Sequence, residues 1–209
     1  MKIGILGSGE VAQALAEGFL SRGHELMLGT RDPSKLADWQ KSHAKARVGS
    51  YAETASFGEV VSLATLGEVV VDVVTRIGAD RFAGKVVIDV TNPIREGDRG
   101  PELFVGFDDS LGERVQRALP QARIVKAFNT VGSAYMVDPK FTGGPPTMFV
   151  AGNDDGAKKT VVDILTSYGW DSADLGGIES SRYLEAMCMA WVVYGMRSQT
   201  WHHAFRLLR

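Results

Sequence analysis

The strongest constraint on this chain lies at its amino end. Lys2 to Leu6 is a short apolar run that leads into Gly7-Ser8-Gly9-Glu10-Val11-Ala12, and Glu10 to Arg22 then places Val11, Leu15, Phe19 and Leu20 at helical spacing. Strand, tight turn and helix are the reading. Gly23 stops the helix and Glu25 to Leu28 supplies a second strand, completing a βαβ unit of the ~30 residues such units need. In the pattern G-x-G-x-x-A, Gly7 permits the tight turn, Gly9 lets a pyrophosphate approach the backbone, and Ala12 allows close helix packing. The anion is met by backbone N–H groups left unpaired in the first helical turn, at the positive end of the helix dipole. The expected phosphate loop is therefore Gly7, Ser8, Gly9, Glu10, Val11 and Ala12.

The residues after the second strand choose between dinucleotides, because a carboxylate accepts hydrogen bonds from a free ribose 2′-hydroxyl but repels a 2′-phosphate. Here the chain reads Gly29-Thr30-Arg31-Asp32-Pro33-Ser34-Lys35. Thr30 and Arg31 come first, and a planar guanidinium both stacks on adenine and pairs with phosphate. With Lys35 nearby, NADP is favoured. The competing reading makes Asp32 the ribose ligand of an NAD protein, with Arg31 and Lys35 on a solvated helix start.

Beyond this unit, strands and helices keep alternating. Pro33 opens a helix towards Ala44, Arg47–Val48 is a short strand, Tyr51–Phe57 a short helix and Glu59–Ala64 a strand. A helix over Gly67–Ile77 leads to Lys85–Val90, a Val/Ile run that reads as a strand buried on both faces, hence a parallel sheet. Thr91 to Asp109 carries no periodicity and reads as a long loop. Ser110 with Glu113 has capping-box spacing for a helix to Leu119, followed by a strand over Arg123–Ala127. Thr147–Ala151 and Asp171–Leu175 are strands around a helix over Asp154–Tyr168, and Ser180–Leu208 reads as one long helical stretch with a kink at Gly195. The fold class is α/β, a doubly wound, mostly parallel sheet with helices on both faces and a C-terminal helical segment. The expected division is residues 1–179 as the dinucleotide-binding domain and 180–209 as a helix packing on it or on a dimer partner.

Ligands of open α/β sheets gather at the carboxyl ends of the strands. That rule points to Ala64, Thr65 and Leu66, to Asn92 and Pro93, and to Asn129 and Thr130, whose amide and hydroxyl groups can orient a carboxamide or a flat ring. An Asx-type turn at a strand end explains these polar residues equally well. Gly143-Gly144-Pro145-Pro146-Thr147 brings backbone close to a second ligand or is a plain loop before a strand.

The 23 basic and 25 acidic residues are interspersed, without the Lys/Arg blocks that neutralise a phosphate backbone, which argues against nucleic acid. The single cysteine, Cys188, suits a reducing cytosol, and no Cys/His spacing suggests a metal. No apolar run reaches the ~18 residues of a membrane helix, because Glu68 and Asp72 break the Val-rich stretch. Met1-Lys2 runs straight into a strand, which speaks against a signal peptide. A soluble, cytoplasmic protein is expected. Leu184, Met187, Trp191, Tyr194, Trp201, Phe205 and Leu208 exceed what one helix stripe needs, and Met189 and Met196 add to the surplus, which suggests a homodimer.

With these residues in place, the chain resembles the NADP oxidoreductase family that includes coenzyme F420-dependent NADP reductases. The likeness is carried by Ile3-Gly4-Ile5-Leu6-Gly7-Ser8-Gly9, Gly29-Thr30-Arg31-Asp32-Pro33, Asp89-Val90-Thr91-Asn92-Pro93, Lys126-Ala127-Phe128-Asn129-Thr130 and Asp174-Leu175-Gly176-Gly177. The chain is also similar to the NADPH-binding portion of six-transmembrane metalloreductases. Enzymes acting on imines and 2-hydroxy acids share the Rossmann fold but add a long helical second domain, for which residues 180–209 are too few. The resemblance implies hydride transfer between NADPH and a planar deazaflavin, which needs positioning more than a strong acid or base. None of His24, His43, His202 and His203 falls at a predicted strand end. The alternatives are an NADPH-dependent flavin, quinone or ferric-chelate reductase, and a non-catalytic NADP-sensing protein.

Overall fold

The computed structural model describes residues 1–209 and begins with the expected unit, β1 (Lys2–Leu6), α1 (Glu10–Ser21) and β2 (Glu25–Gly29). A 3-10 turn over Pro33–Leu36 runs into α2 (Ala37–Ser42), then β3 (Arg47–Gly49), α3 (Tyr51–Phe57), β4 (Val60–Leu63), α4 (Gly67–Ile77) and β5 (Val86–Asp89). After a hairpin of β6 (Ile94–Gly97) and β7 (Gly100–Leu103) come α5 (Leu111–Ala118) and β8 (Arg123–Lys126). The chain closes with β9 (Thr147–Gly152), α6 (Asp155–Ser167), β10 (Asp171–Asp174) and α7 (Ser181–Ser198). Local signals set several of these boundaries. Ser50 and Glu53 form a complete capping box on α3, and the Ser110 hydroxyl accepts the Glu113 amide at 3.1 Å.

Eight strands form one sheet in the order β10-β9-β8-β5-β4-β1-β2-β3. β4 and β5 are buried at every position, as strands covered on both faces must be. Helices α1 and α6 cover one face, with Leu15, Phe19, Val161 and Tyr168 in its core. Helices α3, α4 and α5 cover the other, with Ala55, Val70, Val74 and Val115 in a second core.

Strands β3 to β8 in this order run parallel, so their carboxyl ends share an edge, but β9 pairs with β8 antiparallel, Lys126 opposite Ala151. The reversal brings the start of β9 to that shared edge. The Phe128 amide meets Met148 Sδ at 3.2 Å.

Two expectations are corrected. The segment after Thr91 is not an unstructured loop throughout: Gly97-Asp98-Arg99-Gly100 turns tightly, with Gly100 at φ 102°, and Arg95 pairs with Glu102 across the hairpin at 2.7 Å. The carboxyl-terminal helix does not reach Leu208. It ends at Ser198, Gln199 takes a left-handed conformation, and the following residues return as an extended strap. The strap's Phe205 carbonyl accepts the Thr147 amide at 2.9 Å, and the Leu207 amide donates to Thr147 Oγ1 at 3.0 Å. Helix α7 runs unbroken through Gly195, where the Trp201 ring of the returning strap packs on it. No helix is long and apolar enough to cross a membrane.

Candidate functional site

Because β1, β2, β4, β5 and β8 are parallel, the loops that follow them meet along one edge. At β1, Gly7 has φ 148° and its missing side chain would collide with the Ala64 carbonyl, so the first glycine is fixed by packing. Gly9 differs. A Cβ there would meet nothing within 4 Å, and no side chain caps α1. The corner is open and its amide donors face it, which is what an approaching diphosphate requires. Ala12 is fully buried against the sheet, Val11 is half-buried and Glu10 is exposed. Ser8 is held by Thr30 Oγ1 at 3.4 Å, and Gln13 donates to the Ser8 carbonyl at 2.9 Å.

At the end of β2, Thr30 is buried while Arg31 and Lys35 are exposed. Asp32 Oδ1 accepts the Ser34 hydroxyl at 2.6 Å and the Ser34 amide at 3.0 Å, so this carboxylate caps the 3-10 turn. Those two hydrogen bonds, the hydroxyl first, hold its pKa below the usual aspartate value. With one Asp32 oxygen engaged in the cap, exposed Arg31 and Lys35 on either side present the positive charge that a 2′-phosphate would meet.

At β4, Thr65 Oγ1 is buried without a partner, and Leu66 is 74% exposed. Gly67, a position with no sequence signal, admits no side chain because the Asn92 carbonyl lies against it. At β5 and β8 the two asparagines meet. Asn92 Nδ2 donates to the Asn129 carbonyl at 2.9 Å, and Asn129 Nδ2 donates to Asn92 Oδ1 at 3.1 Å and to the Leu184 carbonyl at 2.9 Å. Asn129 Oδ1 is left buried and unpaired. Phe128 just before it has φ 60°, a strained conformation that costs about 1–3 kcal/mol and re-aims the chain at the strand end. Pro93 is buried beside this pair, and the Thr130 hydroxyl, also buried, faces Met148 Sδ at 3.9 Å. Gly144 packs against the Arg206 guanidinium of the strap.

Sequence reasoning missed a buried charge cluster behind this edge. Lys126 Nζ lies 2.9 Å from both Asp89 and Glu185. Asp89 and Lys126 stand inside the quoted strand-end motifs, and Glu185 is a lone acid in an apolar helix; that was the available signal. A surface hollow of about 540 Å³ at the charged β6–β7 hairpin, lined by no hydrophobic residue, has no part in this edge.

Comparison with known proteins fits this geometry. The sequence model of the family described as NADP oxidoreductase, coenzyme F420-dependent, matches residues 2–93. The F420-dependent NADP reductase of Methanocaldococcus jannaschii is 30% identical over 203 residues, 90% of this chain and 89% of that protein. The chain belongs to the coenzyme F420-dependent NADP oxidoreductase family. A crystal structure of a candidate F420-dependent NADP reductase from Arthrobacter sp. FB24 superposes with a TM-score of 0.96 at 35% identity, covering all of both chains. Metalloreductase STEAP3 of Rattus norvegicus is 31% identical over 89% of this chain, which spans only 36% of that longer protein. A Streptomyces aurantiacus imine reductase shares the fold at 17% identity and a TM-score of 0.68, and this chain covers 64% of it.

Proposed function

We propose that this family member transfers a hydride directly between NADPH and the deazaflavin coenzyme F420. The observation that carries the reading is the open Gly9 corner beneath an uncapped helix, one strand away from exposed Arg31 and Lys35. The residues present fit such a group: the two buried polar atoms without partners at the edge, Thr65 Oγ1 and Asn129 Oδ1, are an acceptor-donor and an acceptor aligned with the next strand ends.

When bound, the nicotinamide supplies the hydride chemistry. The chain's own work is to hold and to exclude. Backbone amides from Gly7 to Ala12 hold the diphosphate, Thr30, Arg31 and Lys35 the 2′-phosphate, Ala64 to Leu66 the inner ribose, and Asn92, Pro93 and Asn129 the carboxamide end. The hydride would pass directly between the two rings, the proton that accompanies it on the deazaflavin would be exchanged with solvent, and no side chain is assigned to that exchange.

The proposal extends to assembly and setting. Along α7, Leu184 and Trp191 are buried, whereas Tyr183, Val193, Tyr194 and Met196 remain 48–66% exposed, which supports residues 180–209 as an appendage to the 1–179 domain that covers a second copy in a homodimer. The interspersed charge and lone buried cysteine support a cytoplasmic protein that handles small cofactors rather than nucleic acid. Mixing the protein and NADPH with F420, a flavin or a ferric chelate and following absorbance tests the reaction. Turnover with F420 alone supports it; turnover only with flavin or iron, or NADPH binding without turnover, overturns it.

A further inference from the structure

Lys126 on β8, Asp89 on β5 and Glu185 on α7 are fully buried or nearly so. The ammonium uses its three donors on three acceptors: Asp89 Oδ2 and Glu185 Oε1, each at 2.9 Å, and the Thr91 carbonyl at 2.6 Å. Asp89 Oδ1 in turn accepts the Thr91 amide at 3.0 Å and its hydroxyl at 2.6 Å. The two Glu185 oxygens accept the Leu111 and Gly112 amides, each at 2.9 Å, in the first turn of α5. Burial by itself favours the neutral amine, but the two carboxylates outweigh it and raise the Lys126 pKa above the ordinary lysine value. One turn further along α7, burial pushes the Cys188 thiol up to about 12, so it adds no charge.

A core that needed only cohesion would use apolar side chains here, since buried ion pairs rarely add net stability and their best-attested use is to fix one arrangement. What this cluster fixes is the ligand edge. Thr91 is gripped at its amide, hydroxyl and carbonyl, and Asn92 beside it exchanges hydrogen bonds with Asn129. Asn129 is tied to the Leu184 carbonyl, immediately before Glu185. The loop closes on itself through β5, β8, α5 and α7.

We propose that Glu185 and Lys126 are positioning residues for hydride transfer, locking the Thr91-Asn92 loop and Asn129 into the geometry that receives the nicotinamide. This rests on the functional reading above. The structure contains its own control: Arg182 and Glu113 also join α7 to α5, at 2.6 Å, but nearer the surface and without touching any edge residue.

The test compares Glu185→Gln, which keeps the shape but sets an amide against the lysine or the α5 amides, with Glu113→Gln. For Glu185→Gln, kcat with F420 falls about ten- to a hundredfold, the range expected of a misplacement on the order of 1 Å. Its NADPH Kd stays within about threefold, because the phosphate loop and Arg31 make no contact with the cluster. The nicotinamide fluorescence of its binary complex moves towards that of free NADPH. Glu113→Gln changes neither kcat nor emission. Retention of wild-type kcat and emission by Glu185→Gln, or the same losses in Glu113→Gln, overturns the proposal. If Glu185→Gln does not fold, Thr91→Val, which deletes only the hydroxyl bond to Asp89, must show the same losses, and wild-type behaviour in it is equally fatal. Should the wild-type protein fail to reduce F420, the functional reading falls, while the binding and emission measurements still decide the positioning claim.

Discussion

The two ends of the ligand edge are built by different means. Around β1 and β2 the proposed site is mostly local: residues 7–12 and 30–35 supply turns, a helix terminus and exposed cations, with the Ala64 carbonyl against Gly7 reaching in from farther along the chain. Around β5 and β8 it is assembled from Thr91, Asn92, Asn129, Leu184 and Glu185, which are distant in sequence and meet through hydrogen bonds. On the function proposed above, the first end would grip a cofactor's constant phosphates and can be generic, whereas the second would place a reacting ring and draw its precision from long-range ties.

This contrast can be broken by substitution at either end. The largest effect is expected from Gly9→Val: the Cβ meets no protein atom within 4 Å, so the fold persists, while the diphosphate loses its approach. NADPH affinity measured by titration should fall by about a thousandfold, some 4 kcal/mol, and a folded variant with native affinity would detach this loop from the site. At the other end, Trp191 is 8% exposed, stacks on His203 at 4.7 Å and donates its indole N–H to the His203 carbonyl at 2.9 Å. Trp191→Ala should cost about 3 kcal/mol in denaturant unfolding and loosen the strap. Acceptor turnover should suffer more than NADPH binding; an equal loss of both would erase the distinction between the two ends.

Arg31→Glu sharpens the contrast at an intermediate size. Losing a charge-assisted contact to the 2′-phosphate should weaken NADPH by about 1.5–3 kcal/mol while sparing NADH, and calorimetry showing equal affinities in the native protein would refute the assignment. The smallest effect belongs to Glu113. Its hydrogen bond from Arg182, then those in its cap, hold its pKa below the ordinary glutamate value. A depressed carboxylate stabilises the fold above the unfolded-state pKa of about 4.3, and that share is lost as pH falls through the lower folded value. Glu113→Gln should therefore lower Tm by only about 2 °C at neutral pH and by less in acid; a constant difference across pH would mean that the ion pair is not its cause.

The same division explains what could be read from the sequence. The glycine spacing of Gly7–Ala12, the alternation of β and α and the Ser110 cap are written in residues a few positions apart, so they are visible in the chain, whereas the Ala64 carbonyl that closes on Gly7 is not. The β6–β7 hairpin escaped because Ile94–Leu103 has no apolar alternation, its pairing resting on a glycine turn and an ion pair. Glu185 escaped because nothing near it in sequence announces partners on β8 and α5, far back along the chain. The end of α7 at Ser198 was hidden by the strap's own apolar side chains, which mimic a continuing helix but pack back on it.

Because β9 runs against its neighbour β8 and its first residue is bonded to the strap through both the Phe205 carbonyl and the Leu207 amide, a pull on residues 205–207 is felt first where β9 meets the shared edge, and it reaches β1 only through the intervening strands.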